Sequence, residues 1–377
     1  MNDKIVYFQE GQDNGCNFYR IRQPARKIIE KGLFKCATSS LINNLDDQTM
    51  WIDKTDILVS QMGGSEKYLD YVIENKGKKK FVLDYDDNIF SVSIYNPSYR
   101  AHGTRDVEVE MDDGTKIKLW EDGKNGFSLA ENQNRLFVFS QMLKAVDMVT
   151  TPSPVLAGVF KKMGANNVRV IRNYLDLSVW SPIRVMRDNT ITIGYQGGWS
   201  HYEDWLEIKD AIKIIMNQYP NVRLLIMGQA YLSSLKDIPK DRIKEIAWTD
   251  IGVYPHIFKT LGIDIGIAPL ADGAFNFCKS ELKWEEYSSL EIPCVASNKA
   301  PYSMAISHGK TGFLAKNTDE WVEYLGKLIE SESLRKEVGL TARKKIEDDY
   351  DLDKNIVQYK DAFESMFGLK KIISLLH

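Results

Sequence analysis

Short apolar runs alternate with amphipathic stretches along most of the chain, and this alternation limits the folds that the chain can adopt. Strands separated by helices form βαβ units, whose parallel sheets are covered by helices on both faces. Runs with the composition of buried strands occupy, in the first half, residues 4–8, 56–60, 80–83, 147–151 and 168–171. Those in the second half occupy residues 191–196, 222–227, 263–268 and 292–296. The sequence therefore predicts an α/β protein with two Rossmann-like domains.

Two domains also suit the length of the chain, because 377 residues exceed the size at which a single hydrophobic core stops growing. The two sets of strands meet near Trp180, so we expect one domain over residues 1–180 and a second over residues 181–354. One stretch breaks the pattern: apolar and polar residues alternate around Asp113-Gly114, which is a strong hairpin signal. We expect this hairpin, at about 106–120, to be an insertion in the first domain.

The composition limits the kinds of partner and site. A formal net charge of −3 creates no global basic field of the kind that attracts nucleic acid. The four cysteines form no CxxC pair and have no histidine at ligand spacing, which argues against a zinc site and against structural disulfides. The first residues lack the apolar core of a signal peptide, and no stretch approaches the ~20 apolar residues of a membrane span. We therefore expect a cytoplasmic protein.

Ligands of open parallel sheets bind at the carboxyl ends of the strands. After the strand at 191–196, Gly197 and Gly198 allow close approach of the backbone to a ligand, and Ser200 with Glu203 has the spacing of a capping box. This turn suits a diphosphate, and His201 is a candidate donor to a phosphate oxygen. The alternative is an ordinary βα turn with an exposed histidine.

The segment after the strand at 263–268 is rich in charge. Ser280 is a plausible N-cap for a helix that begins near Glu281, and Lys279 lies beside that helix start. A lysine there is unfavourable for the helix dipole unless an anion binds, and Glu286, seven residues on, shares its face. The alternative is a solvent-exposed helix in which Lys283 pairs with neighbouring glutamates.

Blocks along both halves of the chain resemble GT-B glycosyltransferases, and more narrowly glycosyltransferase family 4 and its relatives in bacterial polysaccharide clusters and phages. The resemblance extends over about 300 residues and is most specific between Asp264 and Ser297, within KSELKWEEYSSLEIPCVAS. The matching blocks are residues 17–28, 81–90, 145–160, 167–176, 191–205, 222–228, 264–297 and 301–315. It implies two Rossmann-like domains whose parallel sheets face each other across a cleft, with a C-terminal helix at about 355–377 crossing back to the first domain.

The resemblance also implies a donor site in the second domain for a nucleotide-diphospho-sugar such as a UDP-sugar. Glu286 resembles the glutamate that holds the ribose, and Gly197-Gly198 the turn near the diphosphate. Lys279 and Ser280 resemble a Lys-Ser pair near the phosphates or the donor sugar. Asn173 matches an asparagine at the interdomain hinge that contacts the donor.

Two departures from the family pattern affect the site. The common pattern places a first glutamate eight residues before Glu286, where this chain has Cys278. The usual basic pair after the glycine turn is also absent, so we expect Lys279 or Lys283 to supply the positive charge. The first departure leaves the identity of the transferred sugar open.

In the first half, Asp84-Tyr85-Asp86-Asp87 follows a strand. By resemblance, Asp86 and Asp87 line the acceptor site or assist deprotonation of the acceptor, with Lys279 supporting catalysis from the donor side. A DxD metal site of the GT-A type is the alternative, but two α/β halves do not fit a single GT-A domain, so we expect no metal requirement. The loop after the first strand offers Asn17, Tyr19 and Arg20 as acceptor contacts.

The sequence thus predicts a hexosyl or pentosyl glycosyltransferase that, by family likeness, retains the anomeric configuration. Its acceptor is a hydroxyl of a glycan, a lipid-linked molecule or another compound. Basic stretches at residues 25–35 and 366–377 allow peripheral membrane contact, although helices packed on the core explain them better. Alternatives are a glycosyltransferase that modifies hydroxymethylated DNA, which we do not favour, a nucleotide-sugar epimerase of the same fold, and a non-catalytic nucleotide-sugar-binding protein.

Overall fold

The computed structural model describes residues 3–12, 14–41, 45–61, 63–111, 113–185, 188–229 and 231–368. The chain divides into two compact units, each of which is assembled from separate segments. The first unit contains Met1–Asp86, Arg135–Tyr174 and Leu352–His377, and the second contains Asp87–Asn134 and Leu175–Asp351.

The strands, in chain order, account for the nine predicted runs and for the two strands of the predicted hairpin, and they add three more. They are β1 (Ile5–Gln9), β2 (Lys35–Thr38), β3 (Ile57–Gln61), β4 (Lys80–Asp84), β5 (Glu108–Glu110), β6 (Lys116–Lys118), β7 (Met148–Thr151), β8 (Val168–Val170), β9 (Ile191–Gly197), β10 (Val222–Gly228), β11 (Ile243–Ile246), β12 (Ile265–Ala268), β13 (Cys294–Ser297) and β14 (Phe313–Ala315). The sequence analysis missed β2, β11 and β14, which have three or four residues each and no long apolar run.

The first unit is built on a parallel sheet that has, among the described residues, six strands in the order β2-β1-β3-β4-β7-β8. Val6 and Phe8 of β1 and Val82 of β4 are at most 1% exposed and form the core with flanking helices. The helices of this unit are Gly15–Asn17, the π-helical Phe18–Arg22, Gln23–Glu30, Leu45–Lys54, Glu66–Glu74, Pro154–Lys162, Leu352–Asn355, Val357–Ser365 and most of Leu129–Ala145.

The end of the described chain belongs to the first unit. Tyr359 and Phe363 of the helix Val357–Ser365 are buried in its core, and Phe363 lies with its ring centroid 6.2 Å from that of Phe8. The predicted C-terminal helix at about 355–377 is therefore present from Val357 to Ser365. Residues 369–377 lie outside the described residues.

The second unit has the same architecture. Its parallel sheet has, within the part of the chain that is described, six strands in the order β11-β10-β9-β12-β13-β14. The segment after β9 contributes Trp205, Ile208, Ile212 and Ile215 to the core of this unit, and all four are fully buried. The helices of this unit are Tyr99–His102, Tyr202–Leu206, Lys209–Gln218, Tyr254–Phe258, Leu282–Ser289, Tyr302–Ala305, Thr318–Glu330 and Glu332–Asp349.

The predicted hairpin is present as the antiparallel pair β5–β6, with Glu108 opposite Lys118. Its segment, Asp87–Asn134, is grouped by its contacts with the second unit, whereas the sequence-based boundary assigned it to the first domain. The physical reason is a small core of its own, in which Val92, Tyr99 and Phe127 pack against Phe275 of the loop after β12. The segment Asp87–Asn134, which precedes β7 in sequence, therefore packs next to β12 of the second unit.

Candidate functional site

The turn after β9 exposes backbone at the carboxyl edge of the second sheet. β9 ends at Gly197, where a Cβ atom would lie 2.6 Å from the hydroxyl of the buried Tyr195, so packing requires glycine there. Gly198 is extended, with φ −87° and ψ −170°, and a Cβ atom on it would meet nothing within 4 Å. The second glycine therefore borders open space that a ligand can enter.

The helix predicted to begin at Ser200 is interrupted. A 3-10 turn at Trp199–His201 leads into the short helix Tyr202–Leu206. The predicted capping box is wrong, because the Glu203 carboxylate accepts a hydrogen bond from the hydroxyl of Ser93 (2.8 Å). Glu203 thus ties the segment Asp87–Asn134 to this turn instead of closing the helix end.

His201 and Asp204 form a short hydrogen-bonded pair beside the turn. His201 Nδ1 lies 2.6 Å from Asp204 Oδ2, and Asp204 is 2% exposed. Burial, and then the nearby ammonium of Lys283, lower the pKa of His201 to about 4 in spite of the bond to Asp204. Burial raises the pKa of Asp204, but the bond from His201, the charge of Lys283 and the bond from the Ala271 N–H together leave that pKa below its ordinary value. At neutral pH the pair is therefore a neutral imidazole and a carboxylate.

Asp204 also holds the loop that follows β12. Its Oδ1 accepts hydrogen bonds from the backbone N–H of Ala271 (2.7 Å) and from Asn276 Nδ2 (3.0 Å). One buried carboxylate thus joins the turn after β9 to the loop after β12. The sequence analysis missed Asp204, although its spacing, three residues after His201 and beyond a glycine turn, is visible in the sequence.

Lys279 lies at the end of that loop, between a carboxylate and an aromatic ring. Its Nζ is 3.7 Å from Asp87 Oδ1 and 4.4 Å from the centre of the Phe275 ring. The side chains of Lys279 and Asp87 are 20% and 26% exposed, respectively, so the pair is sheltered but within reach of a ligand. The structure therefore brings together two of the residues that the sequence analysis singled out for catalysis.

The charged helix that follows is not a solvent-exposed surface helix. It extends over Leu282–Ser289, and its residues from Trp284 to Ser289 are buried. Its N-cap residue is Glu281 and not Ser280 as predicted, and Glu281 makes no side-chain cap but accepts a hydrogen bond from Tyr350 (2.9 Å). The alternative of a solvent-exposed helix is therefore wrong, and the buried glutamates of this helix require polar partners.

Lys283, the second residue of this helix, adds a second cation. It is partly buried, with Nζ 5.5 Å from the centre of the Tyr195 ring. Burial lowers the pKa of Lys283 to about 8; the carboxylate of Asp204 opposes that shift, and the charge of Lys279 adds to it. Two like charges therefore lie near one another at the carboxyl edge of the sheet, which is unfavourable without an anion.

Glu286 is fixed in a hydrogen-bond network beneath the glycine turn. It is 4% exposed, and its Oε2 accepts from Gln196 Nε2 (2.6 Å) and from the hydroxyl of Tyr254 (3.0 Å). Tyr254 also contacts Gln196 Oε1. Since Gln196 immediately precedes Gly197 on β9, this network lies next to the glycine turn. Neither Gln196 nor Tyr254 could be identified from local sequence patterns.

Cys278, at the position where the resembled family has a glutamate, is buried. Its sulfur accepts a hydrogen bond from Asn88 Nδ2 (3.7 Å), and burial raises the pKa of its thiol to about 11. A neutral thiol therefore stands where the family pattern places a carboxylate, with Asn88 against it. Asp87 and Asn88 thus face Lys279 and Cys278, one consecutive pair against another.

The residues predicted to bind the acceptor lie in the first unit, and they are buried. Arg20 is 1% exposed and pairs with both carboxylate oxygens of Asp84 (3.1 and 2.7 Å), while it also donates to the carbonyl of Ile171 and to Asn173 Oδ1. These contacts use the donors of the guanidinium to link the end of β4 to Ile171, which follows β8. Arg20 is therefore not an exposed ligand contact. The prediction assumed an exposed loop arginine and could not anticipate this partner.

The other first-unit candidates follow the same pattern. Asn17 is fully buried, with its Nδ2 donating to Glu10 (2.8 Å), and Tyr19 is 3% exposed. Asn173, predicted as a donor contact, is 4% exposed and accepts from Arg20 within the first unit. Asp86 is the last residue of its segment in that unit and is partly buried. The site described above therefore consists of second-unit residues alone.

Two kinds of feature are absent from the described residues. Within the described residues, no group of three His, Cys, Asp or Glu side chains is arranged to hold a metal ion. In the same residues, no helix has the length and apolar character needed to cross a membrane.

Comparisons with known proteins identify the fold. No family model matches the chain. The capsular polysaccharide biosynthesis glycosyltransferase CapM of Staphylococcus aureus is 24% identical over 173 residues, which are 44% of this chain and 44% of CapM. The chain thus matches less than half the length of this curated relative.

Solved structures match over nearly the whole chain. HepE of Anabaena in complex with UDP is 14% identical, with a TM-score of 0.63 over 96% of this chain and 100% of HepE. Sucrose-phosphate synthase of Thermosynechococcus elongatus is 12% identical, with a TM-score of 0.66 over 97% of this chain and 100% of that chain. These likenesses, together with the two parallel sheets, confirm the predicted α/β fold of the GT-B type.

Proposed function

We propose that this protein is a glycosyltransferase that transfers a sugar from a nucleotide-diphospho-sugar to an acceptor hydroxyl. The likeness to CapM and to the UDP-bound HepE supports the class of enzyme and the class of donor. The finer assignment to a family 4 type, with retention of configuration and no metal requirement, rests on the sequence resemblance and is part of the proposal.

One observation carries the proposal: two lysines and a buried glutamate line the carboxyl edge of the second sheet beside an open glycine turn. Lys279 and Lys283 carry positive charge where Gly198 borders open space. Glu286 lies on the helix that begins three residues after Lys279. A ligand that is anionic at one end and bears paired hydroxyls next to it, such as a nucleoside diphosphate, satisfies both groups.

In this proposal the two lysines bind the diphosphate and stabilise its charge when the sugar leaves. A bound anion removes the conflict between the two ammonium groups and raises the pKa of Lys283 again. Preorganised positive charge at the leaving group is usually the largest contribution to such catalysis. Backbone N–H groups of the Gly197-Gly198 turn and the start of the helix Leu282–Ser289 add to this charge stabilisation.

Glu286 is proposed to hold the ribose. Its carboxylate is already oriented by Gln196 and Tyr254, so a hydroxyl pair can bind without further ordering of the side chain. A carboxylate accepts several hydrogen bonds at once, which suits two adjacent hydroxyls.

A thermal-shift panel of nucleoside diphosphates and their sugars tests the proposal, because a ligand that binds the folded state raises its stability. We expect at least one nucleoside diphosphate to raise the midpoint of unfolding, and Lys279→Ala to remove the shift. Lys240→Ala, an exposed lysine just before β11, is the matched control and should retain it. No shift with any nucleoside diphosphate contradicts the proposal.

Activity assays with the nucleotide sugars that bind separate the alternative activities. Formation of a second nucleotide sugar without an acceptor identifies an epimerase. Binding without transfer or slow hydrolysis identifies a non-catalytic binding protein. Transfer to hydroxymethylated DNA identifies a nucleic-acid acceptor, whereas transfer to a glycan or a lipid-linked hydroxyl agrees with the main proposal.

A further inference from the structure

The tautomer of His201 follows from its partner. Asp204 is buried, and its pKa lies below the ordinary value, so it is a carboxylate that only accepts hydrogen bonds. His201 Nδ1 lies 2.6 Å from Asp204 Oδ2 and must therefore donate. Because a neutral imidazole has a single N–H, the other nitrogen, Nε2, has a lone pair and accepts.

This tautomer argues against the expectation that His201 donates to a phosphate oxygen. The charged groups that face the imidazole are Asp204, on its own turn, and Lys279 and Lys283, from the loop and helix after β12. Burial and the two ammonium groups keep the ring neutral, so Nε2 stays an acceptor. Phosphate oxygens also only accept, and they cannot pair with it. On a nucleotide sugar, the groups that donate to such a nitrogen are hydroxyls and base N–H groups.

We propose that Asp204 is a positioning residue that presents His201 Nε2 as a hydrogen-bond acceptor for a hydroxyl of the transferred sugar. This inference rests on the proposed function for the identity of the ligand but not for the tautomer. The sugar hydroxyls are favoured over the ribose hydroxyls because Glu286 is already oriented to accept from the ribose. His201 lies against the diphosphate side of the site, with its Cβ 3.3 Å from a Cβ placed at Gly197.

Asp204 fixes the direction of its hydrogen bond with His201 because its other carboxylate oxygen, Oδ1, accepts hydrogen bonds from two further donors. Oδ1 accepts from the backbone N–H of Ala271 and from the amide of Asn276, both of which are donors. In Asp204→Asn, the amide oxygen accepts from the Ala271 N–H and from the Asn276 amide. The amide nitrogen of the new side chain therefore faces His201 and donates to Nδ1. The substitution keeps the shape of the side chain and moves the imidazole proton to Nε2.

Nuclear magnetic resonance of the histidine ring nitrogens tests the tautomer without any ligand. In ¹⁵N-histidine-labelled protein, with His201 assigned by its absence in His201→Gln, we expect a protonated Nδ1 and an unprotonated Nε2 in the wild type. We expect the reverse in Asp204→Asn, whose thermal unfolding should stay close to that of the wild type. A wild-type ring protonated on Nε2 overturns the inference.

Calorimetric titration with UDP and UDP-glucose tests the ligand assignment. His201→Ala should weaken the affinity for UDP-glucose about tenfold relative to the affinity for UDP, which corresponds to the loss of one hydrogen bond. The affinity for UDP itself should stay within about twofold of the wild-type value. An unchanged ratio of the two affinities overturns the assignment of His201 to a sugar hydroxyl. Failure of the wild type to bind UDP and every other nucleoside diphosphate contradicts the proposed function, and it leaves the tautomer result standing.

Discussion

Asp87 Oδ1 lies 3.7 Å from Lys279 Nζ, so the cation proposed to meet the donor diphosphate has a carboxylate as its neighbour. The Asp87 carboxylate forms this ion pair at a separation that is too long for a hydrogen bond. A diphosphate and Asp87 therefore compete for Lys279.

This competition predicts the sign of a mutational effect. Asp87→Asn removes a negative charge next to the anion site, so UDP should bind several-fold more tightly, by roughly 1 kcal/mol. If Asp87 served mainly to hold its segment against the loop after β12, the substitution should weaken binding instead. Isothermal titration calorimetry measures the sign directly. In a Lys279→Ala background, the gain from Asp87→Asn should be largely lost.

The pKa of Lys283 predicts how donor affinity depends on pH. Burial and Lys279 lower this pKa to about 8, and a bound diphosphate raises it. Binding then favours the protonated lysine, so affinity is fully present below pH 8 and falls as the pH rises above it. For one coupled proton, we expect the dissociation constant for UDP to rise up to about tenfold per pH unit above 8. Lys283→Met should remove this dependence, and a slope that persists in that variant contradicts the assignment.

Glu286 should matter for the nucleoside and not for the phosphates alone. Glu286→Gln places an amide nitrogen against a side-chain network that already contains donors, and it removes a charged acceptor for the ribose. We expect a loss of about 1.5–3 kcal/mol, or about 10- to 100-fold, in UDP affinity. Pyrophosphate, which lacks a ribose, should bind the variant as it binds the wild type. An equal loss for both ligands would mean that Glu286 supports the whole site and does not contact the ribose.

Arg20 should affect stability and leave donor binding unchanged. Its guanidinium and Asp84 form a buried ion pair in the first unit, with side chains 0% and 2% exposed. Arg20→Ala leaves the Asp84 carboxylate buried without its cation, which typically costs about 3–5 kcal/mol. We expect a clear fall in the thermal midpoint, with UDP affinity near the wild-type value at temperatures where the variant is folded. Arg20→Met combined with Asp84→Leu should be less destabilising than Arg20→Ala.

Local patterns predicted the elements and part of the site. The strands, the Gly197-Gly198 turn and the charged segment around Lys279 all depend on short-range periodicity and turn chemistry, and the structure has them in place. Such local patterns could not predict contacts between residues that are distant in sequence. Asp204 reaches Ala271, 67 positions away, and Arg20 reaches Asp84, 64 positions away. Either residue in isolation has the sequence context of an exposed side chain, so its burial depends on tertiary packing.

The predicted capping box is a second case in which a contact between distant residues overrides a local sequence pattern. Ser200 and Glu203 have the spacing of a capping box, but the Glu203 carboxylate accepts a hydrogen bond from the hydroxyl of Ser93 instead. That hydroxyl comes from a segment that sequence order places in the other half of the chain. A local rule therefore failed where an insertion packs against the site.

The most direct test is a crystal structure with the nucleoside diphosphate that gives the largest thermal shift. The proposal predicts the diphosphate against Lys279 and the Gly197-Gly198 turn, the ribose hydroxyls on Glu286, and a longer distance between Lys279 and Asp87 than 3.7 Å. A nucleotide bound to the sheet of the first unit, or at the amino ends of the strands in the second, would contradict it.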